Sequence, residues 1–403
     1  MLATSLILTA IFAWLAWRDL HVGFLLLVAL LPSYLLRTEF FGVPTTFLEM
    51  LLITFVIVWC MKRRPHVSWI RSSLAPLTLP ILLLAIASIL SLAITPDFLS
   101  ALGVWKAYYL EPILLFVIIR HERLDAARIF KALGVCAIIL SLIAIAQWLT
   151  GKGIPIPWDV ERRVTSVFDY PNALGLFLGP IAVIGALSWR TTAKWFWIPT
   201  TILPSMAIVL AQSEAAIVAI LTTLALAGLL NKQTRTKTIL AITIAIVAVA
   251  LSPWRGFVAQ KLTLQDFSGQ VRLTQWSETV QMLQDRWLLG AGLSGYPTVF
   301  APYHQATHIE IFQYPHNLVL NVWVELGLMG VITLGVLAFM VVRKVTSRLF
   351  HSSAALIAFF AVLETAIHGL VDVPYFKNDL AILTWVLLAI IYASHETLAK
   401  KES

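Results

Sequence analysis

Thirteen apolar runs partition this sequence: residues 4–17, 20–36, 46–61, 74–95, 101–119, 132–149, 172–189, 195–212, 214–230, 238–252, 318–341, 352–371 and 379–394. A helix that crosses a bilayer needs about 20 mostly apolar residues, because hydrocarbon offers its backbone no hydrogen-bond partners. Some runs are shorter, and Arg18-Asp19 splits the first pair, so about 12–14 transmembrane helices are expected. Of the 403 residues, 59% are hydrophobic and 12% charged, at a mean hydropathy of +0.86. Soluble chains carry about twice that share of charge. The composition excludes a soluble enzyme, a disordered chain and a nucleic-acid-binding domain. The expected fold class is all-α: a polytopic integral membrane protein with a large extracytoplasmic loop containing short helices. We read residues 1–403 as a single helical membrane domain.

The basic residues orient the chain. Arg18, Lys62-Arg63-Arg64 with Arg71, Arg120 to Lys131, Arg190 with Lys194, Lys232 to Lys237, Arg343 to Arg348 and Lys400-Lys401 fall on alternate connections. Lys and Arg gather in cytoplasmic loops, so this side is assigned to the cytoplasm. The parity then sends 150–171, 253–317 and the short 372–378 to the other side. No Lys or Arg precedes Arg18, so the first run reads as a retained helix rather than a signal peptide. Cys60 and Cys136 lie inside apolar runs and imply no disulfide framework.

Loop 253–317 is long enough to build a site. Within it, Leu273, Trp276, Val280, Leu283 and Trp287 recur at helical spacing, which predicts a helix over Arg272 to Leu289 lying at the membrane interface. The loop closes on Tyr314-Pro315-His316-Asn317, with Asn317 placed to start the next helix. His316 would then stand at that helix's mouth. Asn317, Asn321 and Glu325 stack on one face, and Glu325 lies two turns into the span, where a charge must be paired or wet. The first outer loop ends in Glu161-Arg162-Arg163 and then Pro171-Asn172, again opening a span. Two arginines outside run against the charge bias. They are either lipid contacts or an anion clamp, since guanidinium grips phosphate bidentately.

These landmarks together resemble the O-antigen ligase and O-antigen polymerase superfamily of bacterial membrane glycosyltransferases. The carriers are Arg163 through Asn172 before a span, Arg272-x3-Trp276 with Arg286-Trp-Leu-Leu-Gly290-Ala-Gly292, and Pro315-His316-Asn317-Leu with Glu325-Leu-Gly327-Leu-Met-Gly330. The resemblance implies transfer of an undecaprenyl-diphosphate-linked glycan to an acceptor on the extracytoplasmic face of the bacterial inner membrane. That acceptor is lipid A core, another lipid-linked glycan or a protein. Membrane lipids are partners and nucleic acid is not; no cofactor and no metal are implied. The family's essential His and Arg carry over to His316 and Arg272 as catalytic residues. Arg163, Arg162, Asn172, Trp276, Arg286, Asn317 and Glu325 are expected to bind substrate. One departure stands out: many members have Ser-Arg-Gly at the outer end of a middle span, where this chain reads Ser213-Glu214-Ala215.

The chemistry makes the same demands. A diphosphate leaving group needs charge neutralisation, which fixed guanidinium groups supply. The acceptor hydroxyl needs a general base, and imidazole suits neutral pH. Glycoside hydrolysis would instead call for two flanking carboxylates. His304-x3-His308 has metal-ligand spacing only if that stretch is helical, which Pro302 and Tyr303 argue against. Lys106 and Glu111 are candidates to pair within one helix, and Asp372 beside His368 to line the outer cavity or form a structural ion pair. The alternative reading is a transporter or flippase of lipid-linked sugars or a small solute, whose essential residues would lie at mid-depth, such as Glu111 or Glu364.

Overall fold

The computed structural model describes residues 2–40, 43–189, 193–347 and 353–393. Arg190, Arg348, Lys400 and Lys401 lie outside the described residues, as do the tips of two apolar runs at 352 and 394. Every apolar run falls on helix: Leu2–Arg18, Leu20–Ala29, Phe47–Arg63, Thr78–Ile94, Phe98–Trp105 continued by Glu111–Glu122, Ala126–Thr150, Pro171–Ser188, Lys194–Leu210, Glu214–Leu230, Arg235–Leu251, Leu318–Thr346, Ser353–His368 and Asn378–Ile391. Five segments are long and apolar enough to cross a membrane: Val67–Ile94, Phe98–Glu122, Ala126–Thr150, Pro171–Ser188 and Leu318–Thr346. A sixth is the pair Arg235–Leu251 and Arg255–Asp285 taken as one span, bent by 112°. The other helices on the apolar runs have 10–17 residues. This is an all-α polytopic membrane protein.

Burial sorts the helices. Pro171–Ser188, apolar all round, sits in the middle of the bundle against Lys194–Leu210, Ser353–His368 and Glu214–Leu230. Arg235–Leu251 has no fully buried residue and lies at the periphery, against Glu214–Leu230. The one sheet among the described residues is an antiparallel hairpin, Arg37–Phe40 with Val43–Thr46, which the apolar pattern did not signal. It ends where Thr46 accepts from the Glu49 N–H and caps Phe47–Arg63.

Two ends of the bundle differ in chemistry. At one, Arg63 holds Glu122 bidentately, Lys62 donates to the Trp17 carbonyl and Arg120 to those of Ser73 and Tyr392. At the other, Thr95 donates to the Leu293 carbonyl, and residues 369–377 meet 314–318. The expected pairing of Lys106 with Glu111 does not form. A π-turn over Lys106–Leu110 shifts the register, and Lys106 pairs with Glu49 of the neighbouring helix.

The span 318–341 is not one continuous helix. Gly327 has φ +66 and ψ −167, a conformation that excludes a side chain, and breaks Leu318–Thr346 there. The break frees backbone groups that loop residues then satisfy. Leu328 N–H donates to the Leu288 carbonyl, and Ala291 N–H to that of Val324. A Cβ on Gly327 would stand 2.2 Å from the Leu288 oxygen, and one on Gly290 2.3 Å from the Val324 oxygen. Gly327 serves as the seat on which the Gly290-Ala291-Gly292 turn docks.

Candidate functional site

The loop helix runs Phe267–Asp285, earlier at both ends than the predicted Arg272 to Leu289. Its apolar stripe divides: Leu283 is buried, whereas Leu273, Val280 and Trp287 are exposed. The buried face carries Gln275, Glu278 and Thr279 beside Met282 and Leu283. Gln275 donates to the Tyr314 carbonyl, Trp276 Nε1 to that of Pro315, and Thr279 meets the Tyr296 hydroxyl. These bonds offset the cost of burying polar side chains there.

His316 sits between this helix and the short loop after Ser353–His368. Its backbone is in the left-handed region, φ +46, held by the bonds to Tyr314 and Pro315 on one side. On the other side, four consecutive loop residues grip the site. Gly369 accepts from the Leu318 N–H at 2.7 Å, and Leu370 from Asn317 Nδ2 at 2.9 Å. Val371 accepts from Arg272 Nε at 2.9 Å. Asp372 Oδ1 then stands 3.5 Å from His316 Nδ1, an ion-pair distance rather than a short hydrogen bond. Burial pushes the Asp372 carboxyl up, but His316, His368 and the Val373 N–H outweigh it and hold it below the usual carboxylate range. Phe312 and Tyr314 pack edge-on against the imidazole, each with ring centroids 5.0 Å away.

His316 and Arg272 line one cavity of about 960 Å³, which also takes in Arg163 and Asn172. Arg163 donates from Nε to the Ala211 carbonyl and lies over the Trp158 ring. Burial lowers its pKa, against Glu161 and Glu214, which raise it. Asn172 occupies the first turn of Pro171–Ser188, whose Pro171 opens the helix. Trp276 and Asn317 are outside the lining and orient it, the first through Pro315 and the second as N-cap, accepting from the Leu320 N–H. Arg162, Arg286 and Glu325 also lie outside the lining. Arg162 is exposed beside Gly151, and Arg286 is exposed at the end of the loop helix. Glu325 is buried in the bundle near Tyr108 and Tyr109.

The cavity is not purely cationic. Glu161, Glu214, Asp266 and Glu310 line it beside Arg163, Lys261 and Arg272. Two of these acids are committed to one cation: Lys261 Nζ lies 2.9 Å from both Glu214 and Asp266. Lys261 thus brings a positive charge to the position of Glu214. Nothing in the sequence marks Lys261 apart from any other loop lysine. Asp372 carried a signal, an acid in a short loop on the same side as His316, but nothing in the sequence paired the two. His308 lines the cavity, whereas His304 is taken up elsewhere: its Nδ1 meets Glu278 at 2.9 Å and its Nε2 the Ile309 carbonyl at 2.8 Å. The 304–308 stretch is not helical, so the metal-ligand spacing does not operate.

Fold and cavity together define a multi-pass membrane protein with a His- and Arg-bearing chamber where its longest loop meets the bundle. Residues 199–335, about a third of the chain, match the family model described as O-antigen ligase. The matched segment includes Lys261, Arg272 and His316, and leaves Arg163 and Asp372 outside it. No curated protein matches the chain.

Proposed function

We propose that this protein transfers a glycan from a polyprenyl-diphosphate carrier to an acceptor hydroxyl, in the cavity of His316, Arg272 and Arg163, on the extracytoplasmic side. The observation that carries the reading is the run Gly369 to Asp372, whose contacts hold Arg272 and His316 on one chamber. With Asp372 at Nδ1, that nitrogen holds the proton and Nε2 is left as the basic nitrogen. His316 then takes the acceptor's proton as the hydroxyl attacks the anomeric carbon. The bond from that carbon to the diphosphate oxygen breaks. The arginines stabilise the charge that collects on the departing diphosphate, which leaves with its carrier lipid. Asp372 stabilises the imidazolium formed at His316. The undecaprenyl carrier, the lipid A core or glycan acceptor, and the single-domain organisation of residues 1–403 belong to the same proposal.

The test is glycan transfer in membranes carrying the intact chain. His316→Ala and Arg272→Ala should abolish transfer while insertion and expression match the parent protein. Normal transfer by both variants would reject the reading. In a deletion strain, full-length chains accumulating on the carrier lipid indicate ligase chemistry, and single repeat units indicate polymerase chemistry.

A further inference from the structure

One wall of the cavity comes from the first outer loop, and the chemistry above uses only its Arg163. Trp158 and Glu161 line that wall too, with Gln212 from the turn after Lys194–Leu210. The loop is braced at its base by the buried Gln147, near the end of Ala126–Thr150. Its Nε2 donates to the Gly153 and Ser166 carbonyls at 2.7 and 2.8 Å. Its Oε1 accepts from the Thr165 and Ser166 N–H groups at 3.1 and 2.8 Å. Within the loop, Trp158 N–H donates to the Pro155 carbonyl and Arg163 N–H to that of Trp158. Arg163 Nε then ties the segment to the bundle at the Ala211 carbonyl, 3.1 Å away. The Arg163 guanidinium lies over one face of the Trp158 ring, 5.0 Å from its centroid. The indole is half-buried and still borders the cavity, to which it offers flat apolar surface. Gln212 Nε2 lies 3.5 Å from the Glu161 carbonyl, so these two residues are neighbours at the same wall.

Each component fits a different part of one ligand class. A pyranose ring has an apolar face of C–H groups, polarised by the adjoining oxygens, and the electron-rich face of an indole attracts it. The rim of the sugar carries hydroxyls, which a carboxylate accepts from and a carboxamide both donates to and accepts from. A bare diphosphate would meet the like charge of Glu161 at this wall. A polyprenyl chain would cover Glu161 and Gln212 without giving them partners. Arg163 selects between the two sugars of the reaction: a ring on Trp158 lies beside a fixed cation, and only the donor sugar carries a diphosphate on its anomeric oxygen. We propose that Trp158 is the stacking platform for the donor sugar, with Glu161 and Gln212 binding its hydroxyls. This rests on the transfer reaction proposed above.

The experiment uses the full chain in detergent with fluorinated tryptophan, and fluorine NMR identifies Trp158 by the signal lost in Trp158→Phe. The probes are the lipid-linked glycan extracted from the deletion strain and undecaprenyl diphosphate without a glycan. The Trp158 signal should move with the first and stay in place with the second. An equal movement with the bare carrier, or none with the lipid-linked glycan, overturns the proposal. In transfer assays Trp158→Leu, which keeps an apolar side chain but no flat ring, should raise the donor KM at least about fivefold. The acceptor KM should stay within about twofold, and Trp158→Phe should fall between Trp158→Leu and the parent protein. A rise confined to the acceptor KM overturns the assignment to the donor sugar. Absence of transfer by the unaltered protein defeats the proposed function, while the fluorine titration still decides whether Trp158 holds a glycan. A Trp158 signal indifferent to the glycan, in a protein that does transfer it, defeats the platform alone.

Discussion

Trp276 Nε1 donates to the carbonyl oxygen of Pro315 at 2.7 Å, one residue before His316. This bond, with that of Gln275 to Tyr314, holds the backbone in the left-handed turn from which His316 reaches the cavity. Trp276→Phe keeps the ring and removes the donor. A net hydrogen bond is worth about 1 kcal/mol, so transfer should fall several-fold, with membrane insertion unchanged. A rate assay on matched membrane preparations checks this.

Arg272 donates from Nε to the Val371 carbonyl and from Nη1 to the Ser268 carbonyl, while its side chain lines the cavity. Arg272→Lys keeps the charge and cannot serve both tasks, since a lysine is a single flexible point donor. Its transfer rate should stay at least about tenfold below that of the parent protein. Recovery by lysine to near-parent rates would show that charge alone suffices.

Segment 304–309 should loosen at high pH. Glu278 accepts from the Gln305 and Ala306 N–H groups and from His304, whose other nitrogen faces the Ile309 carbonyl. Both ring nitrogens face acceptors, so only the imidazolium donates to both. The Glu278 hydrogen bond raises the His304 pKa above its ordinary 6.5, against burial. That stabilisation is full below 6.5 and disappears as pH climbs through the raised value. Burial raises Glu278, but His304 and the two N–H groups outweigh it, so its contribution is full above 4.5 and is lost as pH falls through the depressed value. Amide exchange at Gln305 and Ala306, corrected for its intrinsic pH dependence, should show constant protection between those limits and a decline above them. Glu278→Gln should flatten the profile.

Gly327→Ala should destabilise the protein by at least about 2 kcal/mol, since it combines a backbone region reserved for glycine with a clash at the Leu288 oxygen. A thermal melt in detergent reads this directly. Gly335→Ala, where a methyl would meet nothing within 4 Å, is the control expected to change little.

Lys106→Ala leaves Glu49 buried without its cation. Loss of one partner from a buried pair costs about 3–5 kcal/mol. Lys106 is a third exposed, so about 2–3 kcal/mol is expected here. The double variant with Glu49→Ala should recover most of the loss, and chemical denaturation of the three proteins measures the coupling.

Much of the architecture was legible in the residue order. Apolar runs far too long and frequent for a water-soluble chain determined an all-α membrane bundle, and each run falls on helix. Asn317 announced itself as a helix cap through its position alone, and so did the Pro171-Asn172 start. These features are local: a helix or its cap depends on neighbours within a turn. Tertiary structure alone decided which groups meet. The bond from Arg272 to Val371 spans 99 positions, and Lys106 chose Glu49, 57 residues away, over Glu111 on its own helix. Likewise Glu214 found Lys261, and Asp372 turned toward His316. Such pairings depend on where distant backbone elements come to rest, and no local spacing encodes that distance. The site is therefore a product of packing. The bundle brings the loop helix, the mouth of Leu318–Thr346 and residues 369–372 together, and only then does a histidine acquire a carboxylate and a chamber to act in.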